Sequence, residues 1–346
     1  MKFKKLSKTD IDVSLICLGT MTWGEQNSQE EAFEQMNYSV ENGINFFDTA
    51  ELYAVPPKAE TYSKTETMIG NWFQEKKNRD QIILATKISG PGLTWIRGGG
   101  MQYNQESISK AIEGSLKRLQ TDYIDLYQLH WPERTTNFFS KLGYRHDQKE
   151  EEWNSFESIL TILKKFVEQG KIRHIGLSNE TPYGLTKYLN LSEALNLPRV
   201  VSVQNPYSLV NRTYEVGMAE ISIRDQAGLL AYSPLGFGVL SGKYLNDQMP
   251  EGSRLKLFGD SFPRYQGTRT SKAVQEYFHI AKKHNLSLTQ MSLAFVNQQE
   301  FVTSNIIGAT TIDQLKENIE SVNIVLDQEV FKEINAVHHE NPNPAP

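Results

Sequence analysis

The feature that most constrains the fold is a regular alternation of short apolar runs with helical patterns. Eight runs are nearly continuous in apolar residues, without the two-residue alternation of a sheet that faces water on one side. They span residues 13–19, 44–48, 82–87, 123–130, 174–178, 200–204, 229–233 and 305–309. Such runs are typical of parallel strands covered by helices. They predict an α/β fold, a (β/α)8 TIM barrel of parallel strands with a short N-terminal β-hairpin and long loops at the C-terminal face.

The segments between the runs carry helix-start signals and apolar residues at helical spacing. Ser28 begins the pattern of a capping box, and Asn104 precedes a strongly amphipathic segment. Ser155 is predicted to cap a further helix. Thr181-Pro182 is predicted to open another, with proline at the first helical position.

An open, doubly wound sheet is the alternative architecture, because alternation alone does not show that a sheet closes. A dinucleotide-binding sheet would carry G-x-G-x-x-G directly after its first strand. The chain instead has LGTMTWG at residues 18–24, and the glycine-rich LGFG at 235–238 follows the seventh run. The barrel is therefore favoured. A length of 346 residues permits one or two domains, and we interpret residues 1–346 as a single barrel domain.

Composition excludes several classes of function. A net charge of −5 gives no general attraction to nucleic acid or to anionic membranes. Cys17 is the only cysteine, so neither a disulfide framework nor a thiolate metal site is expected, and His338-His339 lack a third ligand. No secretion signal or transmembrane-length apolar stretch appears, which indicates a cytoplasmic protein. The proline-rich tail NPNPAP is expected to be partly mobile.

The three longest connections all follow predicted strands. They span residues 89–104, 131–153 and 234–271. In a barrel these loops lie at the C-terminal face, where active sites are built. The segment WIRGGGM at 95–101 suggests either a flap over that face or a plain solvent loop. Trp23, Trp95 and Trp131 are expected either to line an apolar pocket or to pack within the protein.

Four polar residues stand at or shortly after the ends of three predicted strands. Asp48, Lys87 and His130 end the second, third and fourth runs, and Tyr53 follows the second. In a barrel they would meet at one mouth. Carbonyl reduction needs a proton on oxygen, and an ammonium group such as Lys87 would lower the pKa of Tyr53 from about 10. Asp48 would hold the lysine, and a neutral His130 would orient the carbonyl group.

Each of these residues, taken alone, also has an ordinary structural explanation. Asp48 could form a turn, Tyr53 could pack in a loop, and His130 could be a core histidine. Only the joint pattern indicates redox chemistry at a carbonyl group. Glu51, near Asp48, is the single hint of a paired-carboxylate hydrolytic site, an alternative that the chain supports poorly.

The sequence resembles the aldo-keto reductase family over nearly its whole length. Within the family, the Pro-Pro stretch after Tyr53, GNWF and the terminal NPAP resemble a bacterial Tas-like branch related to the potassium-channel β-subunit type. The motifs that carry the resemblance are LGTMTWG, GINFFDTAELY, ATK, DYIDLYQLHWP, GKIRHIGLSN, VQNPYSL, LLAYSPLGFGVLSGKY and IIGATTIDQLKENIES.

The resemblance implies an oxidoreductase that transfers a hydride from NADPH to an aldehyde or ketone, a small-molecule substrate, with Tyr53 as general acid. It carries the catalytic roles onto Asp48, Tyr53, Lys87 and His130. It also implies a nicotinamide site, in which Tyr232 stacks on the ring, and an adenosine end at a helix N-terminus. The implied cofactor residues are Gly19, Thr20, Met21, Asp48, Ser178, Asn179, Gln204, Tyr232, Ser233, Pro234, Leu235, Gly236, Leu240, Lys243, Arg254, Gly308, Thr310, Gln314, Glu317 and Asn318.

The preference for NADPH over NADH depends on two basic residues. Several branches of the family carry a basic residue at or near Gly308 and an arginine at Gln314, and both are missing here. Lys243 and Arg254 match the channel-subunit-like branch in order and would bind the 2′-phosphate, although they could equally be solvated loop residues. NADPH is favoured, and use of both cofactors is the alternative.

A second class of function fits the same residues. The resemblance to channel subunits also implies a regulatory or interaction subunit with slow turnover, in which a bound nucleotide reports redox state. The oligomeric state is not predicted by the sequence.

Overall fold

Eight parallel strands form a closed barrel in the computed structural model, which describes residues 1–146 and 152–346. Two further strands, β1 (Phe3–Lys5) and β2 (Asp12–Ser14), pair as an antiparallel hairpin. The predicted barrel and hairpin are thus confirmed, and the open sheet is excluded. The barrel strands, each paired with its neighbours around the ring, are β3 (Ile16–Gly19), β4 (Phe46–Asp48), β5 (Ile83–Ile88), β6 (Ile124–Leu129), β7 (Ile172–Ser178), β8 (Val200–Pro206), β9 (Gly228–Tyr232) and β10 (Val302–Ile307).

Helices surround the barrel and fill the connections between strands. They are α1 (Gln29–Glu41), α2 (Lys64–Lys76), α3 (Gln105–Leu119), α4 (Phe156–Glu168), α5 (Pro182–Ala194), α6 (Tyr214–Arg224), α7 (Arg254–Phe258), α8 (Thr268–Lys283), α9 (Leu288–Asn297), α10 (Ile312–Glu320) and α11 (Gln328–Glu340). None of these described helices is both long and apolar enough to cross a membrane.

The helix starts are determined locally. The Ser28 hydroxyl accepts the N–H of Glu31 at 3.2 Å, and the Glu31 carboxylate accepts the N–H of Ser28 at 2.8 Å, which completes the predicted capping box. The Asn104 and Ser155 side chains each accept one backbone N–H, from Ser107 and Ser158, and so cap α3 and α4. The cap at Ser155 was predicted. Thr181 caps α5, whose first residue is the expected proline.

The hairpin closes the lower end of the barrel, where the N-terminal ends of the strands lie. Leu6 and Val13 are fully buried and pack against inward-facing side chains such as Cys17. The predicted run at 13–19 was wrong as a single strand, because it divides between β2 and β3. Its continuous apolar character arises because both parts are buried, one in the hairpin and one in the barrel.

Because side chains alternate between the two faces of a strand, every second residue points into the barrel. This places polar groups at the upper end of the interior, where the C-terminal ends of the strands lie. Phe46 and Ala85 belong to the buried cluster in the lower half of the interior. Asp48 and Lys87 follow two residues later on the same strands and therefore face the interior as well. Their side chains thus lie next to each other at the C-terminal ends of β4 and β5.

The long loops follow β5, β6 and β9, as predicted. The loop after β9 contains one short α-helix, α7, which the sequence did not indicate, together with short 3-10 segments. Part of the loop after β6, residues 147–151, lies outside the described residues. The expectation of a mobile tail was wrong, because Ala345 is fully buried and its N–H donates to the carbonyl of Val210 at 3.0 Å.

Candidate active site

The Lys87 ammonium lies at the centre of the site. It is fully buried, and its three N–H bonds have three acceptors. These are the Asp48 carboxylate at 2.6 Å, the Thr49 carbonyl at 2.8 Å and the Tyr53 hydroxyl at 3.2 Å. Burial opposes the charge, but Asp48 and Tyr53 outweigh it and raise the pKa of Lys87, which therefore stays charged.

Asp48 is held by two glutamine side chains on its other oxygen. The Nε2 atoms of Gln128 and Gln204 donate to Oδ1 at 3.1 and 2.8 Å. Gln204 was predicted as a cofactor residue, whereas Gln128 was missed. A signal for it exists, because Gln128 interrupts an apolar strand and lies opposite Lys87 in the register of β5 and β6.

Tyr53 carries its proton in this environment. The residue is only 9% exposed, and burial raises the pKa of its phenol above the usual value. Lys87 acts in the opposite direction, but its effect is smaller than that of burial, so the expected lowering of the Tyr53 pKa was wrong. The hydroxyl is thus protonated at neutral pH while it remains in contact with a cation.

His130 is a neutral ring beside Tyr53. The two rings are 5.8 Å apart, centroid to centroid, in an edge-on arrangement. Burial, aided by the charge of Lys87, holds the pKa of His130 well below its ordinary value. Within the described part of the chain, no group hydrogen-bonds its buried Nδ1 atom.

A cleft of about 1200 Å³ opens above these side chains. Lys87 lies beneath Tyr53 rather than on the surface of the cleft, and Gly236 and Leu240 do not line it either. Leu240 is fully buried in the hydrophobic core. The predicted residues that do line the cleft are Gly19, Thr20, Met21, Asp48, Tyr53, His130, Ser178, Asn179, Gln204, Tyr232, Ser233, Pro234, Leu235, Lys243, Arg254, Gly308, Thr310, Gln314, Glu317 and Asn318.

Polar residues on β7, β8 and β9 form a connected group along one side of the cleft. The Ser178 hydroxyl donates to the carbonyl of Gln204 at 2.9 Å. The Asn179 amide donates to the carbonyl of His130 at 2.9 Å and accepts from the Tyr232 hydroxyl at 2.7 Å. Asn179 therefore joins His130, which directly follows β6, to Tyr232 at the end of β9.

The opposite end of the cleft lies at the start of α10. The Gln314 side chain accepts hydrogen bonds from the N–H and the hydroxyl of Thr310, at 3.0 and 3.2 Å. Asn318 donates to the carbonyl of Gly308 at 3.3 Å, and Glu317 accepts from the Ser287 hydroxyl. These side chains hold the turn between β10 and α10 in place.

Two cations stand together at this end, on the loop after β9. Among the described residues, neither Lys243 nor Arg254 forms an ion pair with a carboxylate; Arg254 donates to the Gln26 side chain at 3.3 Å and lies over the Phe237 ring. Burial lowers the pKa of Arg254 to about 10, and burial together with Arg254 lowers the pKa of Lys243. A Cβ atom at Gly308 would lie 3.6 Å from the Arg254 guanidinium, so this cation reaches the end of β10.

The tryptophans that the sequence placed on strand-end loops, three of the five in the chain, differ in position. Trp23 is fully buried and donates to the Gln35 side chain at 3.1 Å, and Trp131 lines the cleft. Trp95 is 42% exposed and lies outside the cleft. Glu51 is buried in an ion pair with Arg97, so it does not form a carboxylate pair with Asp48.

The described residues contain one cluster that could hold a metal ion, and it lies on the surface. It consists of His284, Glu329 and Glu333. Lys283 already makes ion pairs with both carboxylates. His338 and His339 are not part of this cluster.

The fold, the buried Asp48–Lys87–Tyr53 contacts and the adjoining cleft define a barrel oxidoreductase. The chain belongs to the aldo-keto reductase family, whose model, described as Aldo/keto reductase family, matches residues 15–339. The family uses nicotinamide cofactors on small-molecule substrates.

Named relatives support the same assignment. Protein tas of Escherichia coli K12 is 48% identical over 348 aligned positions that cover all of both chains, in agreement with the Tas-like branch. The uncharacterized oxidoreductase YrpG of Bacillus subtilis is 32% identical over 97% of this chain and 96% of the relative. An aldo-keto reductase of Babesia bovis is 36% identical over 75% of this chain and 96% of the relative.

Proposed function

We propose that this protein, as a single domain over residues 1–346, uses NADPH to reduce the carbonyl group of an aldehyde or ketone, with Tyr53 as the general acid. The observation that carries the proposal is the contact of one buried ammonium, Lys87, with both Asp48 and Tyr53 at the floor of a large cleft. This arrangement supplies a proton donor, a charge to stabilise its conjugate base and a carboxylate to hold that charge.

The residues of the cleft suit a dinucleotide. Ser178, Asn179 and Gln204 would hold the carboxamide and Tyr232 would lie against the ring. The turn from Ser233 to Leu235 and the start of α10 would hold the pyrophosphate and the adenosine. When it is bound there, the reduced nicotinamide supplies the hydride.

The chain's own groups would manage the proton. Tyr53, whose pKa is raised further by burial, would donate its proton to the carbonyl oxygen of the substrate. Lys87 would stabilise the phenolate that remains, and Asp48 would keep Lys87 charged and in place. His130, neutral and beside Tyr53, would orient the carbonyl oxygen by a hydrogen bond.

The preference for NADPH is supported by Lys243 and Arg254. Burying cations without carboxylate partners is unfavourable. An anion bound between Lys243 and Arg254 would offset the free-energy cost of their lost hydration and reduce the repulsion between them. The 2′-phosphate, which NADH lacks, is such an anion.

The test is NADPH oxidation in the presence of 4-nitrobenzaldehyde, with Tyr53→Phe as the variant. Loss of a general acid is expected to lower kcat by roughly 10²- to 10⁴-fold. NADPH binding, followed by fluorescence titration, should stay unchanged. Binding of NADPH by both proteins without turnover of any carbonyl compound in a panel would refute the enzyme and support a cofactor-sensing subunit instead.

A further inference from the structure

A buried ion pair joins the glycine-rich loop at 89–104 to the segment that carries Tyr53. The Arg97 guanidinium contacts both oxygens of the Glu51 carboxylate, at 2.9 and 2.5 Å. The Glu51 side chain is 1% exposed and that of Arg97 is 15% exposed. Glu51 lies only two positions before Tyr53 in the chain.

Glu51 also attaches this segment to the strand that carries Lys87. Its carboxylate accepts the N–H of Ser89 at 2.7 Å, and its own N–H donates to the carbonyl of Lys87 at 3.2 Å. The Tyr62 hydroxyl donates to the same carboxylate at 3.1 Å. The position of the Tyr53 segment relative to Lys87 therefore depends on Glu51.

The backbone of the glycine-rich loop directs Arg97 inward. Arg97, Gly98 and Gly99 have φ values of +48°, +79° and +78°, and glycine adopts this region without strain. The Arg97 Nε atom donates at 2.8 Å to Gln102, which is itself fully buried. Burial opposes the charge, but Glu51 outweighs it and raises the pKa of Arg97.

Arg97 is the only ion-pair partner of Glu51 among residues 1–146 and 152–346. If the loop moved away, Glu51 would become a buried carboxylate without a cation, which is strongly unfavourable. The position of the loop and the position of the Tyr53 segment are thus energetically coupled.

We propose that Arg97 is a positioning residue, which through Glu51 latches the loop 89–104 onto the Tyr53 segment and keeps the Tyr53 hydroxyl within reach of Lys87. The inference rests on the proposed function, in which Tyr53 donates the proton. It concerns how that acid is held, and Arg97 itself makes no contact with the reacting atoms.

The chain offers a matched control. Arg118 on α3 makes an ion pair with Glu66 on α2 at 2.7 Å, with the Glu66 side chain fully buried and that of Arg118 23% exposed. Glu66 also accepts from the Thr86 hydroxyl at 2.6 Å. Arg118→Gln therefore disrupts a comparable buried pair and leaves the hydrogen-bond partners of Glu51 in place. The Arg118 guanidinium also lies 5.9 Å from the Tyr62 ring, so an effect transmitted only through Tyr62 would appear in this control too.

The experiment compares Arg97→Gln, Arg97→Lys and Arg118→Gln in two assays. In the first, Arg97→Gln is expected to lower kcat at least ~10-fold, since small displacements of catalytic groups cost up to about 10²-fold, while the Kd for NADPH stays within ~2-fold. Arg97→Lys should recover part of kcat, and Arg118→Gln should retain it. In the second, amide hydrogen exchange of peptides spanning residues 49–63 should be faster in Arg97→Gln and unchanged in Arg118→Gln.

The proposed role of Arg97 would be refuted if residues 49–63 of Arg97→Gln exchanged their amide hydrogens at the wild-type rate. It would also be refuted if Arg118→Gln lost as much kcat as Arg97→Gln. If the wild-type protein reduces no carbonyl compound, the proposed function fails. In that case the hydrogen-exchange measurement still tests whether Arg97 holds the Tyr53 segment, because it requires no turnover.

Discussion

At the scale of single residues, the site depends on charges that are buried rather than exposed. A buried ion pair such as Lys87 and Asp48 adds little net stability, because desolvation of both groups offsets their attraction. Its value lies in holding the Tyr53 hydroxyl at 3.2 Å from a permanent cation. The same burial keeps His130 neutral, so a protonated ring does not repel Lys87.

The buried neutral state of His130 predicts a pH dependence of stability. Its pKa in the folded protein lies well below the value of about 6.5 expected when unfolded, so at acidic pH the unfolded state binds more protons. Stability should therefore fall as pH decreases through about 6.5. Urea unfolding at pH 7.5 and 5.5 should show a smaller loss in His130→Asn than in wild type. Equal losses would contradict the prediction, since His174 and His338 are retained in both proteins.

At the scale of elements, the loop after β9 brings charge to the adenosine end of the cleft. Lys243 and Arg254 lie 11 positions apart in sequence, yet burial lowers the pKa of both side chains, and the charge of Arg254 lowers the pKa of Lys243 further. Two buried cations that lie close together without a carboxylate partner among the described residues are typical of an anion-binding site.

Arg254→Gln should weaken NADPH binding without weakening the fold. Loss of a charged hydrogen bond of about 1.5–3 kcal/mol corresponds to roughly 10- to 100-fold in Kd. The Kd for NADH should change less than ~2-fold, because NADH lacks the 2′-phosphate. The urea midpoint for unfolding of the ligand-free protein should not fall, because the substitution removes a cation whose burial is unfavourable. Lys256→Gln on the same short helix is the control, since Lys256 is 49% exposed. Equal weakening of NADPH and NADH binding would argue against contact with the 2′-phosphate.

At the scale of the whole molecule, the tail is part of the folded structure. Arg212 donates its N–H to the Asn343 side chain at 2.6 Å, and the Thr270 hydroxyl donates to the carbonyl of Pro344 at 3.1 Å. Arg264, which lines the cleft, donates to the oxygen of Pro346 at 3.1 Å. The tail thus supports the loop after β9 from outside.

Deletion of residues 342–346 should lower the free energy of unfolding by about 2–4 kcal/mol, because several hydrogen bonds of about 1 kcal/mol each and a buried alanine are lost. Glu340→Gln, at the exposed end of α11, should leave it unchanged. Urea unfolding measures both. A truncated protein as stable as the full chain would show that these tail contacts are not stabilising.

The strand ends were predictable, but the partners of the side chains were less so. Asp48, Lys87 and His130 stand out because each follows an apolar run. Gln128 lies inside such a run, and Arg97 lies in a glycine-rich segment that also resembles a solvent loop. Their roles depend on which side chains they meet in the folded protein, Asp48 for Gln128 and Glu51 for Arg97, and sequence spacing does not encode that.

By itself, the sequence determined most of the order of strands and helices, several helix caps and the barrel class. It also determined the placement of Asp48, Lys87 and His130 at strand ends with Tyr53 after the second strand, because these features follow from local periodicity and family motifs. Only the tertiary structure decided that burial has a larger effect than Lys87 on the pKa of Tyr53. It also decided that Gln128 donates to Asp48, that Arg97 pairs with Glu51 and that the C-terminal tail packs against the barrel domain. Each of these depends on distances between residues remote in sequence and on the exclusion of water, which exist only after the chain has packed.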